Sequence, residues 1–167
     1  MIFLGIGSNL SSNFGDRFKN IELAISFLKE NKINLIKKSS FYETFSYPDK
    51  SKPKFINVVI SVETVLSPHD LMSALISIEE RLGRKRDKKN DPRTCDIDII
   101  DYKKKIVNHN TDDFELIIPH KGTTERNFVL YPLKEICPDW THPITKKNID
   151  VLIKNLKNPN NEITKLS

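Results

Sequence analysis

Cysteine is scarce in this 167-residue chain, and long apolar runs are missing. Its two cysteines, Cys95 and Cys137, lie far apart without CxxC spacing, so neither a zinc site nor a disulfide framework is indicated. No apolar run is long enough to cross a bilayer, and the start "MIFLGIGSNL" lacks the basic segment of a signal peptide. We therefore expect a protein of the reducing cytoplasm that does not use a membrane.

The usual glycine-rich nucleotide loops are missing as well. The segment "GIGSNL" lacks the third glycine of the dinucleotide fingerprint and the Gly-Lys-Ser/Thr of a P-loop. Taken alone, it predicts a tight turn between a strand and a helix rather than a ligand contact. If the protein binds ATP, it does so by another route.

Positive charge is in excess, with a formal net charge of +5. Much of it is scattered lysine, but the segment "RLGRKRDKKNDPR", residues 81–93, is densely basic. Such a segment is typical of a solvated loop, an RNA-binding patch or a phosphate-binding loop. The segment by itself favours the solvated loop and leaves the other two open.

Two long helices are predicted from apolar residues at helical spacing. The first covers "NFGDRFKNIELAISFLKE", with Asn13 as N-cap and Asp16 in the first turn. The second covers "SPHDLMSALISIEERLG", where Ser67 caps the start and Gly83 ends the helix. Two short helices, "RNFVLYPLKEIC" and "NIDVLIKNLK", are predicted near the C-terminus.

Four strands are predicted around these helices: "IFLGIGS", "INLIKKSSFYETF", "PKFINVVISVETV" and "TCDIDIIDY". "KKKIVN" is interpreted as a hairpin partner of the last strand. The order predicts an α+β fold with a ferredoxin-like βαββαβ core, an antiparallel sheet with helices on one face plus C-terminal helices. The length favours a single domain over residues 1–167.

Two aspartates alternate in the strand "PRTCDIDII", residues 92–100. Asp96 and Asp98 share one face, opposite the apolar face of Cys95, Ile97 and Ile99. The carboxylates lie roughly 6–7 Å apart along such a strand. At an effective dielectric of about 20 their repulsion is on the order of 2–3 kcal/mol. The pattern fits either a half-buried strand with a wet outer face or a carboxylate pair that holds hard cations.

Two loops also carry candidate binding residues. "SSFYETFSYPDKSKPKFIN" is long, polar and punctuated by proline, which fits a functional lid or an ordinary mobile loop. In "IIPHKGTTERNFVL", His120 and Arg126 could contact a phosphate, and Phe128 could stack on a flat ring. Taken singly, each of these three is more often structural.

Four segments together resemble a known family: "GSNL", "FINVVISVET", "GRKRDKKNDPRTCDIDII" and "IPHKGTTERNFVLYPLKEI". In order and approximate spacing they resemble the 6-hydroxymethyl-7,8-dihydropterin pyrophosphokinases of folate biosynthesis. The resemblance runs from Ile2 to about Trp140 and is most specific at Pro-Arg-x-x-Asp-hydrophobic-Asp, residues 92–98. It implies Mg²⁺-dependent transfer of pyrophosphate from ATP to the dihydropterin, giving the dihydropterin diphosphate and AMP. The implied partners are these two small molecules, with neither nucleic acid nor membrane, and association with other folate-pathway enzymes is left open.

The resemblance also implies roles for individual residues. By it, Asp96 and Asp98 bind two Mg²⁺ ions, and the catalytic residues are Arg84, Arg86 and Arg93. The ATP-binding positions are Glu79, Arg84, Arg93, Ile99, His120 and Arg126. The pterin-binding positions are Thr44, Phe55, Asn57, Asp96 and Phe128.

Two departures from the family pattern concern the loops. Asn90 and Asp91 stand where the family usually has a tryptophan and a small residue, and the basic loop is one residue shorter. Phe45 and Ser46 replace a common Pro-Pro. These departures predict altered lid closure and substrate affinity rather than altered chemistry.

Two other functions stay open from the sequence. A Mg²⁺-dependent transferase could act on a different heterocycle, although Phe55, Asn57 and Phe128 favour a pterin. A ferredoxin-like RNA-binding module would need aromatic residues on its central strands. Those strands offer only Phe3 and Tyr102, and the acidic residues of the second strand would repel phosphate.

Overall fold

The computed structural model describes residues 1–46, 48–85, 92–157 and 163–166. Strands and helices mix along the chain, so the predicted α+β class is confirmed. The strands are β1 (Ile2–Ser8), β2 (Asn34–Lys38), β3 (Tyr42–Thr44), β4 (Phe55–Glu63), β5 (Asp96–Tyr102), β6 (Val107–Asn110), β7 (Glu115–Ile118) and β8 (Ile163–Lys165). The helices are α1 (Arg17–Glu30), α2 (Pro68–Arg81), α3 (Asn127–Ile136) and α4 (Ile149–Lys154), and a 3₁₀ turn spans Thr123–Glu125.

The main sheet is antiparallel, as predicted. Its strands lie in the order β5-β1-β4-β3-β8, and β2 also pairs with β4. The stretch predicted as one strand before β4 is divided into β2 and β3. The prediction that "KKKIVN" pairs with β5 is wrong, because β6 forms a separate two-stranded sheet with β7. Neither β7 nor β8 was predicted.

Capping residues near in the chain mark the ends of the two long helices. In α2, Ser67 Oγ accepts a hydrogen bond from the Asp70 amide at 3.1 Å, and Gly83 follows the helix with φ +88°, both as predicted. In α1 the predicted N-cap is wrong. Asp16 caps the helix, since its Oδ1 accepts from the Lys19 amide at 2.9 Å, and residues 12–15 form a turn before it.

Helices cover both faces of the sheet. On one face α1 and α2 pack on apolar side chains that include Leu4, Ile97 and Ile99. On the other face α3 and α4 pack on Phe3 and Ile100, among others. The alternation of β5 is therefore as predicted, with Ile97 and Ile99 on the apolar face opposite Ile100.

The described helices give no sign of a membrane span. Across residues 1–46, 48–85, 92–157 and 163–166, none is both long enough and apolar enough to cross a bilayer.

Candidate active site

Two glycines of β1 leave open space on the face covered by α3 and α4. Gly7 lies between Asp96 of β5 and Asn57 of β4 in the strand register, and Gly5 lies beside Asp98. Because a glycine has no side chain, the sheet is bare between the two acids and β4. A cavity of ≈ 740 Å³ opens over this strip. The strand predicted over "IFLGIGS" is confirmed, and the turn predicted from "GIGSNL" is wrong at both glycines, because they lie inside β1.

The cavity collects most of the predicted site residues. Those that line it are Thr44, Phe55, Asn57, Arg93, Asp96, Asp98, His120, Arg126 and Phe128. They come from β3, β4, β5 and the segments on either side of the 3₁₀ turn. The lining also includes residues that the sequence did not single out for it, among them Gly5, Gly7, Thr123, Asn155 and Lys157.

The carboxylate of Asp96 is held by two guanidinium groups. Arg84 Nη1 lies 2.9 Å from Asp96 Oδ1, and Arg93 Nη1 lies 3.3 Å from Asp96 Oδ2. Arg84 also contacts the carboxylate of Glu79, which is 3% exposed and accepts a hydrogen bond from the Ile97 amide at 3.2 Å. Glu79 therefore fixes Arg84 at the start of β5, beside the carboxylate of Asp96.

The carboxylate of Asp98 faces a different pair of side chains, a guanidinium group and an imidazole ring. Arg126 Nη1 lies 3.5 Å from Asp98 Oδ2, and His120 Nε2 lies 3.8 Å from Asp98 Oδ1. Burial, with the charge of Asp96 added, raises the pKa of Asp98 to about 8, and Arg126 opposes that shift. An ionised Asp98 is therefore costly until a further cation arrives.

His120 is held as a neutral donor. Burial, and then the nearby charge of Arg126, lowers its pKa to about 4. Its Nδ1 accepts a hydrogen bond from the Gly122 amide at 3.1 Å, so the ring proton sits on Nε2, the atom that faces Asp98. The ring can thus donate a hydrogen bond into the cavity at neutral pH.

Asp96 and Asp98 offer carboxylate oxygens, the ligands that Mg²⁺ prefers, and both line the cavity. Mg²⁺ is usually bound by one or two carboxylates together with phosphate oxygens and water. Within the part of the chain that the structure describes, no group of three or more His, Cys, Asp or Glu side chains is placed to enclose a metal ion. The donor set therefore fits an ion that shares its ligands with a bound phosphate.

The other part of the cavity offers an amide and two aromatic rings. Asn57 Nδ2 donates to Thr44 Oγ1 at 3.0 Å, and both side chains are 6% exposed. Phe55 and Phe128 line the same cavity. Such groups can hydrogen-bond the edge of a flat heterocycle and stack on its faces.

Three predicted ATP or catalytic positions are not among the cavity-lining residues. The side chain of Ile99 is 1% exposed and packs in the core under α1 and α2. Glu79 and Arg84 lie behind Asp96, as described above. Arg86 falls outside the described residues, as do Asn90 and Asp91 of the altered loop.

The aromatic residues of the central strands do not face solvent. Phe3 is 2% exposed and Tyr102 is 4% exposed. Neither ring is therefore available to stack on a nucleic-acid base, which disfavours the RNA-binding interpretation.

Known proteins resemble this chain in sequence and in structure. A family model described as 7,8-dihydro-6-hydroxymethylpterin-pyrophosphokinase (HPPK) matches residues 3–138. A Methylorubrum extorquens protein named 2-amino-4-hydroxy-6-hydroxymethyldihydropteridine pyrophosphokinase is 36% identical over 82% of this chain and 82% of its own length. The Aquifex aeolicus protein of that name is also 36% identical, over 87% of this chain and 86% of its own.

Some relatives are much longer. "Folic acid synthesis protein fol1" of Pneumocystis carinii is 39% identical over 89% of this chain, which spans only 19% of that protein. A crystal structure of Plasmodium falciparum HPPK-DHPS with SDX-DHP superposes with a TM-score of 0.70. The superposition covers 98% of this chain and 46% of the Plasmodium falciparum chain at 16% sequence identity, so it shows a shared fold.

Proposed function

The chain belongs to the 7,8-dihydro-6-hydroxymethylpterin-pyrophosphokinase family, and we propose that it transfers pyrophosphate from ATP to 6-hydroxymethyl-7,8-dihydropterin in tetrahydrofolate biosynthesis. The products are the dihydropterin diphosphate and AMP. One observation carries the proposal beyond the family match. A single cavity joins a carboxylate pair ringed by arginines to an amide and two aromatic rings.

The carboxylate part of the cavity binds the triphosphate of ATP. Asp96 and Asp98 would hold two Mg²⁺ ions, which would neutralise phosphate charge and align the phosphates. Arg93 and Arg126, which line the cavity, neutralise the carboxylates in the structure and turn to phosphate oxygens when nucleotide is present, and Arg84 stays a predicted catalytic and ATP-binding residue. His120 adds a neutral hydrogen-bond donor. Arg86 and Ile99 remain predicted contributors on this side.

The remaining part of the cavity binds the pterin. Asn57, oriented by Thr44, hydrogen-bonds the polar edge of the ring, and Phe55 and Phe128 stack on its two faces. The hydroxymethyl oxygen is thereby held beside Asp96 and attacks the β-phosphorus in line. A new O–P bond forms, the bond between the α,β-bridging oxygen and the β-phosphorus breaks, the hydroxyl proton is released to water, and AMP leaves. Positioning and charge neutralisation supply the catalysis.

The setting of this activity is part of the same proposal. The segment from β1 to β5 forms a ferredoxin-like βαββαβ core in which β2 and β3 together take the second-strand position, within one domain over residues 1–167. Cytoplasmic location fits the two free cysteines. Association with other folate-pathway enzymes is supported by relatives that carry the matching segment inside a longer folic acid synthesis protein.

Product analysis tests the reaction directly. Purified protein is incubated with ATP and Mg²⁺, with and without 6-hydroxymethyl-7,8-dihydropterin, and AMP is measured. We expect AMP only when pterin and Mg²⁺ are both present, and none from a folded Asp96→Ala variant. AMP formation that does not require pterin would point to another acceptor. A folded wild-type protein that binds neither substrate would refute the proposed function.

A further inference from the structure

Asn9 is a buried amide beside the cavity that the proposed chemistry does not use. It is 2% exposed and lies just after β1, between two loops that border the site. One is the long connection from β3 to β4, residues 45–54, and the other is the segment that carries Arg93 into β5. Buried polar groups of this kind are hydrogen-bonded, so their partners reveal what they hold.

The first side of Asn9 holds the main chain of Arg93. The main-chain N–H of Arg93 donates to Asn9 Oδ1 at 2.8 Å, and the main-chain N–H of Asn9 donates to the Arg93 carbonyl at 3.1 Å. This pair of bonds fixes the backbone from which the Arg93 side chain reaches Asp96. Only an acceptor at Oδ1 can make the first bond.

The second side of Asn9 holds the long loop. Asn9 Nδ2 donates to Ser46 Oγ at 3.0 Å and to the Pro53 carbonyl at 3.1 Å. The Ser46 hydroxyl itself donates to the Pro53 carbonyl at 2.6 Å, and Ser46 is 4% exposed. The two ends of the loop are thus tied together and to Asn9.

The Asn9 segment is itself anchored. Asn20 of α1 is fully buried, and its Nδ2 donates to the Leu10 carbonyl at 2.9 Å. Ser12 Oγ lies 2.5 Å from Asn20 Oδ1. The amide that joins the two loops is therefore anchored to α1.

We propose that Asn9 and Ser46 form a latch that positions the 45–54 loop and Arg93 relative to each other, so that the pterin side and the phosphate side of the cavity are assembled together. The loop carries Phe45, which lines the cavity, and it directly follows Thr44. This role rests on the proposed function, because it describes how the two substrate sites of that reaction are aligned. Asn9 and Ser46 are positioning residues and do not contact the reacting atoms.

The latch has two arms that substitutions can separate: the Arg93 arm joins Asn9 to the main chain of Arg93, and the loop arm joins Asn9 to Ser46 and the Pro53 carbonyl. Asn9→Ala removes the side-chain bonds to the Arg93 amide, to Ser46 and to the Pro53 carbonyl, and it leaves the main-chain bond from Asn9 to the Arg93 carbonyl. Asn9→Asp keeps an acceptor for the Arg93 amide but places a carboxylate oxygen against the Pro53 carbonyl, which releases the loop arm. Ser46→Ala weakens the loop arm alone. Asp101→Asn is the matched control, because Asp101 is 1% exposed and accepts from Trp140 Nε1 at 2.9 Å further along β5.

Hydrogen exchange and steady-state kinetics on these variants test the latch. We expect faster exchange of the Arg93 amide in Asn9→Ala but not in Ser46→Ala. In all three latch variants kcat/KM for the pterin should fall about tenfold or more, as misaligned groups do in such reactions. The control should lose thermal stability and keep wild-type kcat and KM.

The outcomes separate the latch from the reaction it serves. If the wild type turns over both substrates and the latch variants match it, the latch is wrong and the proposed function stands. Unchanged Arg93 exchange in folded Asn9→Ala would also overturn it. If Asn9→Ala does not fold, the same comparison is made with Ser46→Ala, whose wild-type pterin kinetics would refute the loop arm. A wild type that binds neither substrate refutes the function, while the exchange data still report on the latch geometry.

Discussion

Replacing Gly7 by alanine tests whether the bare strip of β1 is needed by the pterin side of the cavity. A Cβ at Gly7 would lie 2.9 Å from Asn57 Oδ1 and 3.5 Å from Phe55 Cδ1. The first contact is too short for a carbon and an oxygen, so the Asn57 amide must move by several tenths of an ångström. Its movement is restrained, because Asn57 Nδ2 is bonded to Thr44 Oγ1.

The size of the effect follows from what the amide loses. Breaking the bond to Thr44 leaves a buried donor unpaired, which costs about 1–3 kcal/mol. Replacing a strand glycine by alanine returns about 0.5–1 kcal/mol of backbone entropy. The net loss of folding free energy is therefore about 1 kcal/mol, or about 2–4 °C in Tm for a chain of this size. Pterin affinity should fall further, by about 10- to 100-fold, since the shifted amide loses its bonds to the ring.

Calorimetric titration of the pterin, with Mg²⁺ and a non-hydrolysable ATP analogue present, measures this change beside thermal unfolding. Gly5→Ala is the matched control on the same face of β1. Its Cβ would meet Ile100 Cδ1 at 3.3 Å, which is the flexible end of an apolar side chain. We expect pterin affinity within about twofold of wild type for that control. Wild-type pterin affinity in folded Gly7→Ala would refute the reasoning about Asn57.

Three further predictions concern the phosphate side. Arg93→Ala should reduce kcat more than it raises the pterin dissociation constant, because Arg93 Nη1 lies 3.3 Å from the carboxylate of Asp96 on the phosphate side; equal losses in kinetics and titration would contradict this. Gly122→Ala should raise KM for ATP about tenfold or more, because its Cβ would lie 2.5 Å from Arg126 Nε and displace that guanidinium; pterin binding without nucleotide is the control. The pH dependence follows from Asp98, whose pKa in the folded protein, about 8, lies above its ordinary value of 3.8. The folded state then holds a proton that the unfolded state releases, so stability without Mg²⁺ falls as pH rises towards 8. Between pH 6.5 and 8 the fall should be on the order of 1 kcal/mol, after allowance for screening of a carboxylate that is 31% exposed and for the opposing end of the titration of His120 in the unfolded state. Urea unfolding should show a smaller fall in Asp98→Asn, and an equal fall would contradict the assignment.

Features set by near neighbours in the chain were predictable. Ser67, Pro68 and Gly83 mark the ends of α2 through bonds and dihedral angles that span only a few residues. The face shared by Asp96 and Asp98 follows from the two-residue period of a strand and needs no tertiary information. These local rules were sufficient to place the acids on the face opposite the apolar residues of β5.

Features set by distant parts of the chain were not predictable. Asn13 and Asp16 are both acceptable caps for α1, and the turn at residues 12–15 decides between them. The segment after β5 has strand propensity, but only the fold determines that it pairs with β7 rather than β5. Gly7 gives the same signal in a turn as in a strand, and its register with Asp96 shows that it opens a cavity.

If the proposed function holds, the charges around the cavity predict that nucleotide and metal bind together. Glu79, Asp96 and Asp98 supply three carboxylates, and Arg84, Arg93 and Arg126 supply three guanidinium groups that neutralise them. ATP alone would draw the arginines to its phosphates and leave the carboxylates facing further negative charge. Mg²⁺ alone would compete with the arginines for the same carboxylate oxygens. With both bound, Mg²⁺ would take the carboxylates of Asp96 and Asp98 while the phosphates would take Arg93 and Arg126, and Arg84 would stay with the buried Glu79, so every charge would keep a partner. Each ligand must therefore raise the affinity for the other, because a coupling free energy between two sites is reciprocal.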